Sequence, residues 1–551
     1  MTADLSHDAR LLDCLVIGAG PAGLQLAALL DADGTDDYLV LEAADRPGAF
    51  FARYPRHRQL ISINKPRTGS DDPELNLRLD WNSLLSDDPA LRFTDYTDRY
   101  FPEADVMVDY LGDFADRTGV KVRYGERVTR VSRDTDGVFE VRTVDSGHSD
   151  GPGDEAAGMP AGVPTTTYRA RRVVVATGVS RPYLPDIDGL ELAEPYTTMS
   201  ADPADYLDQR VLIIGKGNSA FETADSLIET TTLIHVAGPR SIRLAWQSHF
   251  VGHLRAVNNN FLDTYQLKSA NAVLDGTVTK IERDGDGYRV SFSFSRADEV
   301  VKELQYDRVL ACTGFRFDVG IFDESARPAL AINDRFPAQT SAFESVDVPG
   351  LYFAGTLTQQ RDYKVSTNGF IHGFRYAVRA LHHIMRRRHH GCPWPSRTLD
   401  ATPEAITDAV VARINRTSAL WQQFGVLADV VTIHGSEARY HEELPVGYFA
   451  EEGLDEPGHH PDGAFVVTLE YGPDHDKVDP FDISIGRSAQ DDATQAYDAA
   501  YLHPVVRLHR DGEVVATHHM AENLENQWDR PEGHIAPLAA FVGSCLAPAE
   551  V

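Results

Sequence analysis

Cysteine is scarce. Four stand in 551 residues, Cys14, Cys312, Cys392 and Cys545, and no two share a CxxC spacing. That excludes a dithiol redox centre made by sequence neighbours and leaves no structural zinc motif. Cys14 and Cys312 sit in or beside apolar runs and are expected to be buried and inert. The histidines do not stand with acids at ligand spacings, so no metal is expected. No run of about 18 apolar residues occurs, so no membrane span is expected. The first residues lack a basic segment followed by a long apolar one. No secretory leader is read, and a cytoplasmic location is expected. Positive charge is also short: 52 Lys and Arg against 83 Asp and Glu give a net charge of −31. Such a balance argues against nucleic acid or an anionic membrane as partner.

What is present begins at Leu12. Leu15-Val16-Ile17 reads as a buried parallel strand, Gly18-Ala19-Gly20-Pro21-Ala22-Gly23 as a tight turn, and Leu24 to Leu30 as a helix. Tyr38 to Leu41 is a second strand and ends at Glu42. Strand, GxGxxG, helix, strand and acid in this order form the dinucleotide fingerprint. Gly18 allows the turn, Gly20 lets the backbone approach a pyrophosphate, and Gly23 lets helix and strand pack. The helix N-terminus offers free N–H groups to phosphate, and Glu42 accepts from a ribose diol.

The pattern returns at Val211-Leu212-Ile213-Ile214, Gly215-Lys216-Gly217-Asn218-Ser219-Ala220 and Leu233-Ile234-His235-Val236. Here His235 stands at the strand end instead of an acid, and Arg240 and Arg243 follow. Basic residues there favour the 2′-phosphate of NADPH. Two apolar strands close in small-residue turns, Val173 to Gly178 and Val309 to Gly314. Gly350 to Gly355 adds a further strand and turn. Asp362 to Phe370 then leads into a helix through Ile384, whose N-terminus would suit an anionic flavin edge. Gly48 to Lys65 is basic and aromatic and is expected to line a flavin, the alternative being a solvated basic loop with an aromatic anchor. Ala104 to Thr118 reads as an amphipathic helix, and residues 145–164 as a hairpin tip rich in Gly, Asp and Pro. Trp246 to Lys268 is expected either to border a pocket or to link domains. A helix is expected over Pro403 to Gln423 and a strand over Phe465 to Glu470.

Two dinucleotide motifs with such strands resemble the two-dinucleotide-binding-domain flavoproteins. Specific runs narrow the resemblance. Phe51-Ala52-Arg53-Tyr54-Pro55-Arg56-His57-Arg58, Leu60 to Lys65, Asp80 to Leu85, Gly217 to Ala224, Leu262 to Lys268 and Gly369 to Tyr376 resemble the ER flavoproteins associated with degradation. These are the FAD-dependent oxidoreductase domain-containing type. Val426 to Val430 and Gly533-His534-Ile535 extend the match along nearly the whole chain. That family carries ER leader and retention signals, neither of which is read here, so a bacterial member is expected. The wider relatives implied are class B flavin monooxygenases and N-hydroxylating enzymes. This chain lacks their FxGxxxHxxx(Tyr/Phe/Trp) run.

The expected fold is α/β: two Rossmann-like domains, an FAD domain with an inserted NADPH domain, and a C-terminal α+β extension. The expected bounds are 1–190 and 305–395 for the FAD domain, 191–304 for the NADPH domain and 396–551 for the extension. The FAD site is expected to draw on Gly18, Gly20, Gly23, Glu42, Phe51, Val128, Thr177, Gly178, Gly355 and Gly369. The NADPH site is expected to draw on Gly215, Gly217, Ser219 and Arg240. The resemblance implies a monooxygenase that hydroxylates a small-molecule amine or other nucleophile with dioxygen through a flavin C4a-hydroperoxide. Asn64 would donate to that adduct, and Lys65, Arg56 and Arg58 would supply positive charge. Two alternatives stand: a reductase passing electrons to a protein or quinone, and a redox-sensing binding module. Homo-oligomerisation is left open.

Overall fold

The computed structural model describes residues 10–34, 37–146, 165–267, 270–294, 296–454, 461–473, 475–484 and 492–547. The expected hairpin tip lies outside them from residue 147 on. The first sheet is ordered Val122–Arg123, Tyr38–Leu41, Leu11–Ile17, Thr165–Val175, Phe139–Asp145, Glu126–Arg133, with Leu351–Phe353 also paired to Thr165–Val175. Its central strands run parallel. Successive side chains of Leu11–Ile17 enter different cores: Cys14 and Val16 join Leu24 and Ala27, while Leu15 and Ile17 join Val173, Val175 and Phe353. A parallel strand covered on both faces reads as an unbroken apolar run, as this one does.

The second sheet is ordered Val300–Tyr306, Gly287–Phe294, Ala272–Asp284, Leu233–Gly238, Arg210–Ile214, Arg308–Ala311, Glu194–Pro195. The expected return to the FAD domain at residue 305 is too early. Arg308–Ala311 pairs in parallel with Val211–Ile214, because its apolar side chains complete the second core. The strand after the second turn also runs past the expected end, to Gly238.

The third sheet is antiparallel, ordered Ser396–Asp400, Glu437–Pro445, Leu427–His434, Gly463–Glu470, His503–Arg510, Glu513–His519. Helices Pro403–Ile414 and Ala536–Leu546 share its core. The helix expected over Pro403 to Gln423 is broken after Ile414. The Asn415 amide turns to the main chain of Trp528, and the Thr417 hydroxyl caps a separate turn by accepting from Leu420 N.

A buried charge cluster joins this sheet to the first domain. Arg413 donates to Asp429 at 3.0 Å, to Glu443 at 2.9 Å and to Glu74. Glu443 also accepts from Nε and Nη2 of Arg379. Burial alone would raise the Glu443 carboxyl, but Arg379 and Arg413 outweigh it and hold it below its ordinary value. Removing one member strands the others in a medium that solvates them poorly. Arg413→Met is expected to lower unfolding stability by about 3–5 kcal/mol, read as the urea midpoint at constant slope. A loss within the error of the fit would show that the cluster does not hold the extension.

A loop of the first domain also grips the second. Tyr54 stacks on Tyr196 with ring centroids 5.7 Å apart. Arg56 N donates to Tyr196 Oη at 3.0 Å, and the Arg56 guanidinium to Met199 O at 2.7 Å. His57 Nε2 lies 3.3 Å from Thr223 Oγ1. Beneath them the Tyr196 hydroxyl donates to Glu222. Burial pushes the Glu222 carboxyl from 4.5 up to about 7, against the pull of Tyr196. Between those pH values Glu222 is protonated in the fold and ionised in the unfolded chain, so its contribution to stability falls as pH rises. Glu222→Gln is expected to lose less stability than the parent from pH 4.5 to about 7. Identical melting profiles across that window would refute the assignment.

Candidate functional site

The first glycine turn sits at the C-terminal ends of the parallel strands, where open α/β sheets hold ligands. Gly18 has φ +104°, and a Cβ there would press on Ala176 O. A Cβ at Gly23 would run into the carbonyl oxygen of Gly18. Gly20 precedes helix Pro21–Ala32 with open space beside it. Glu42 Oε2 accepts from Ala19 N at 2.8 Å and Oε1 from Ala44 N at 2.9 Å. Each oxygen keeps a lone pair for a further donor. Burial raises this carboxyl, and the Ala44 and Ala19 N–H groups oppose the rise. Thr177 and Gly178 follow the neighbouring strand beside Gly18, and Gly355 lies against Ala22. Gly369 is drawn to the same turn, packed on Gln359, with its carbonyl accepting from Thr356 Oγ1 at 3.3 Å. Phe51 packs half-buried against the core on one side of the sheet, and Val128 against the core on the other.

The second turn repeats this geometry. Gly215 has φ +127°, and a Cβ there would strike Cys312 O. Gly217 and Ser219 open helix Asn218–Leu227. Lys216 is spent on Asp275 at 2.6 Å. His235 Nδ1 lies 2.8 Å from Tyr306 Oη. Arg240 and Arg243 are exposed just beyond Gly238.

Helix Ile371–His390 brings a third element. Before it, Asp362 Oδ2 accepts from Asn368 N at 2.9 Å while Oδ1 is buried without a partner. Burial pushes the Asp362 carboxyl up to about 7. Asn368 Oδ1 accepts from Gln423 Nε2, and Thr367 Oγ1 donates to Gln422 O at 2.5 Å. The extension therefore reaches the turn before this helix. Asn368 Nδ2 and Ser366 Oγ are also buried and unpartnered. Unsatisfied buried groups cost about 1–3 kcal/mol each, so several along one turn make it a candidate place for a polar ligand or water.

Asn64 is fully buried. Its Nδ2 donates to Thr97 O at 2.7 Å and Arg99 O at 3.3 Å. Two carbonyls demand the NH2 end, so the donor role expected of this amide is already filled. What Asn64 offers is Oδ1, buried and unpartnered. Lys65 is exposed. Arg58 faces Phe51 O at 2.6 Å and Asp105 Oδ1 at 2.6 Å. It ties its loop to helix Ala104–Thr118, and its charge is partly offset there, which makes it a positioning residue.

Sequence reasoning missed Asp362, Gln423, Asp80, Trp81, His372 and Arg375. The Arg375 guanidinium is fully buried and donates to Leu77 O at 2.7 Å, Asp80 O at 3.0 Å and Ser83 O at 2.8 Å. Asp80 caps the same loop by accepting from Asn82 N and Ser83 N. Their runs stood out in the sequence, but which carbonyls they would hold is a tertiary matter. Among the described residues no three His, Cys, Asp or Glu side chains gather as a metal group, and no helix is long and apolar enough to cross a membrane.

A family model described as pyridine nucleotide-disulphide oxidoreductase matches residues 15–148 and 162–355. A mouse protein named FAD-dependent oxidoreductase domain-containing protein 2 is 38% identical over 97% of this chain and 84% of its own length. The chain belongs to this family of FAD-dependent oxidoreductases. As a family member it is a flavoprotein oxidoreductase that works with FAD and a nicotinamide dinucleotide. The residues present fit FAD: the first glycine turn, the open lone pairs of Glu42 and the unpartnered atoms of Asp362, Ser366 and Asn368. The expectation of a bacterial member is overturned by animal relatives, from mouse and from zebrafish. The fold is shared with bacillithiol disulfide reductase of Staphylococcus aureus, at TM-score 0.51 and 18% identity over 69% of this chain and all of that one. It is shared equally with a flavin-containing monooxygenase of Stenotrophomonas maltophilia, at 0.50 and 20% over 69% and 100%.

The two glycine turns make a paired test. Gly23→Ala is expected to yield protein without bound flavin. Gly215→Ala is expected to keep flavin while its affinity for a nicotinamide dinucleotide falls at least about tenfold, or about 1.4 kcal/mol. Absorbance at purification and dinucleotide titration read the two. Both variants retaining both cofactors would sink the assignment.

Proposed function

We propose that this flavoprotein is an NADPH-dependent monooxygenase acting on a small nucleophile such as an amine. The observation that carries the reading is the state of the cysteines. The fold alone is common to disulfide reductases and monooxygenases. Passing electrons to a disulfide requires a reactive thiolate. All four cysteines are unpaired. Cys14 and Cys312 are buried, and burial pushes both thiols up to about 12. Burial also raises the Cys545 thiol. Cys392 follows the far end of a 20-residue helix, about 30 Å from the turn that opens it. Electrons arriving at the flavin therefore have no thiol to leave by, which supports dioxygen as acceptor.

In this reading the first sheet forms the FAD domain, the second an inserted NADPH domain, and the third a cap that meets the flavin turn through Gln422 and Gln423. Arg240 and Arg243 support NADPH, since they are exposed beside the second turn without a carboxylate partner among the described residues. Bound FAD, reduced by NADPH, supplies the reaction with dioxygen. One oxygen atom enters the substrate and the other leaves as water. The chain contributes Asn64 Oδ1 as an acceptor for an N–H or O–H at the reacting centre, and the Ile371–His390 helix N-terminus as a partial positive charge.

The test is to reduce the FAD-loaded enzyme with NADPH without air, mix it with oxygen and follow the flavin spectrum. A long-lived band unlike oxidised or reduced flavin is expected. Direct return to oxidised flavin with stoichiometric peroxide would favour a reductase with another acceptor. Asn64→Ala is expected to shorten the life of that band about tenfold, the worth of one ordinary hydrogen bond. An unchanged decay would remove Asn64 from the mechanism.

A further inference from the structure

One arginine near the site has no acid. The guanidinium of Arg255 lies 5.1 Å from the centre of the Trp81 ring. No carboxylate among the described residues pairs with it, in a chain with 83 acids against 52 bases. It is half-buried, and loss of water disfavours its charge, with only Tyr100 in opposition. A desolvated guanidinium without a counter-ion is costly unless an anion completes it. Two further cations, Lys364 and Arg243, act on His253, two residues before Arg255 in the chain. Burial pushes His253 down to about 4, and they hold it there. Neither has a carboxylate partner among the described residues.

The surroundings join the parts of the candidate site. Arg255 N donates to Asn218 Oδ1 at 3.0 Å, and Asn218 opens the second fingerprint helix. Trp81 belongs to the other domain, and its main-chain N–H donates to Ile63 O at 3.2 Å, next to Asn64. Trp81 also stacks on His372 with centroids 4.2 Å apart, and His372 on Phe370 at 5.8 Å. His372 is almost fully buried, and neither ring nitrogen has a partner. A cation thus sits over an aromatic floor, with unpartnered polar nitrogens beside it.

We propose that Arg255, held over Trp81, anchors the carboxylate of an anionic substrate whose apolar part lies beside that ring. Calling that ligand a substrate rests on the monooxygenase reading; the anion site itself does not. A dinucleotide phosphate would offer the same anionic oxygens. The N–H groups at Gly217–Ser219 suit such a phosphate, whereas the Arg255 guanidinium lies over an indole from the other domain. The planar fork of a guanidinium matches a carboxylate or a phosphate alike, so titration with both separates the two.

The test titrates oxidised, FAD-loaded enzyme by calorimetry with phenylacetate, its neutral isostere phenylacetamide, and NADP+. Phenylacetate is expected to bind at least about tenfold tighter than the amide. Arg255→Met should erase that preference with flavin content and NADP+ affinity unchanged, and Arg255→Lys should restore part of it. No preference in the parent enzyme, or a preference that survives in Arg255→Met, overturns the proposal. So does a variant that loses NADP+ affinity while phenylacetate binding holds, which would assign Arg255 to the dinucleotide. Because these titrations involve no oxygen, a failed oxygen trace and a failed anion site are distinguishable.

Discussion

The site depends on the buried guanidinium of Arg375. It rises from the Ile371–His390 helix with no carboxylate partner among the described residues and donates to three main-chain carbonyls, of Leu77, Asp80 and Ser83. Those carbonyls have no strand or helix to satisfy them, so the arginine supplies what secondary structure would. The held loop then sets its neighbours. Trp81 N reaches Ile63 O, Asn64 pairs across to Asp80, and the Asn82 side chain donates to Ile63 O at 3.1 Å. Asn64 and Trp81 are therefore placed by a residue some 300 positions away in the chain.

The extension is part of this arrangement. Ser418 Oγ lies 3.5 Å from the same Arg375 guanidinium, and Arg78 donates to the carbonyls of Ile414 and Thr417. Arg413 brings Glu74, Asp429 and Glu443 together. Buried ion pairs of this kind add little net stability over apolar packing, but they penalise any arrangement that separates their members. The third sheet is therefore held in one place against the turn at Asn368.

The glycine turns and their strands were legible because their constraints are local. Gly18, Gly23 and Gly215 answer to the backbone beside them, and buried parallel strands announce themselves as apolar runs. The sheet that owns Arg308–Ala311 was not legible, since an apolar strand fits either core. Asn64 was legible as a candidate, but its hydrogen bonding was not: the carbonyls of Thr97 and Arg99 that claim its NH2 lie more than thirty residues on. The helix break at Asn415 depends on Trp528, and the approach of Gln423 to Asn368 depends on the whole third sheet. Nothing in spacing reveals such partners.

The loop from Tyr54 to His57 has a mechanical consequence. It crosses from the first sheet to the second and is fastened at Tyr196, Met199 and Thr223. A swivel of one dinucleotide domain past the other would have to unstack two tyrosines and strip three polar contacts at once. The loop acts as a brace between the two sheets.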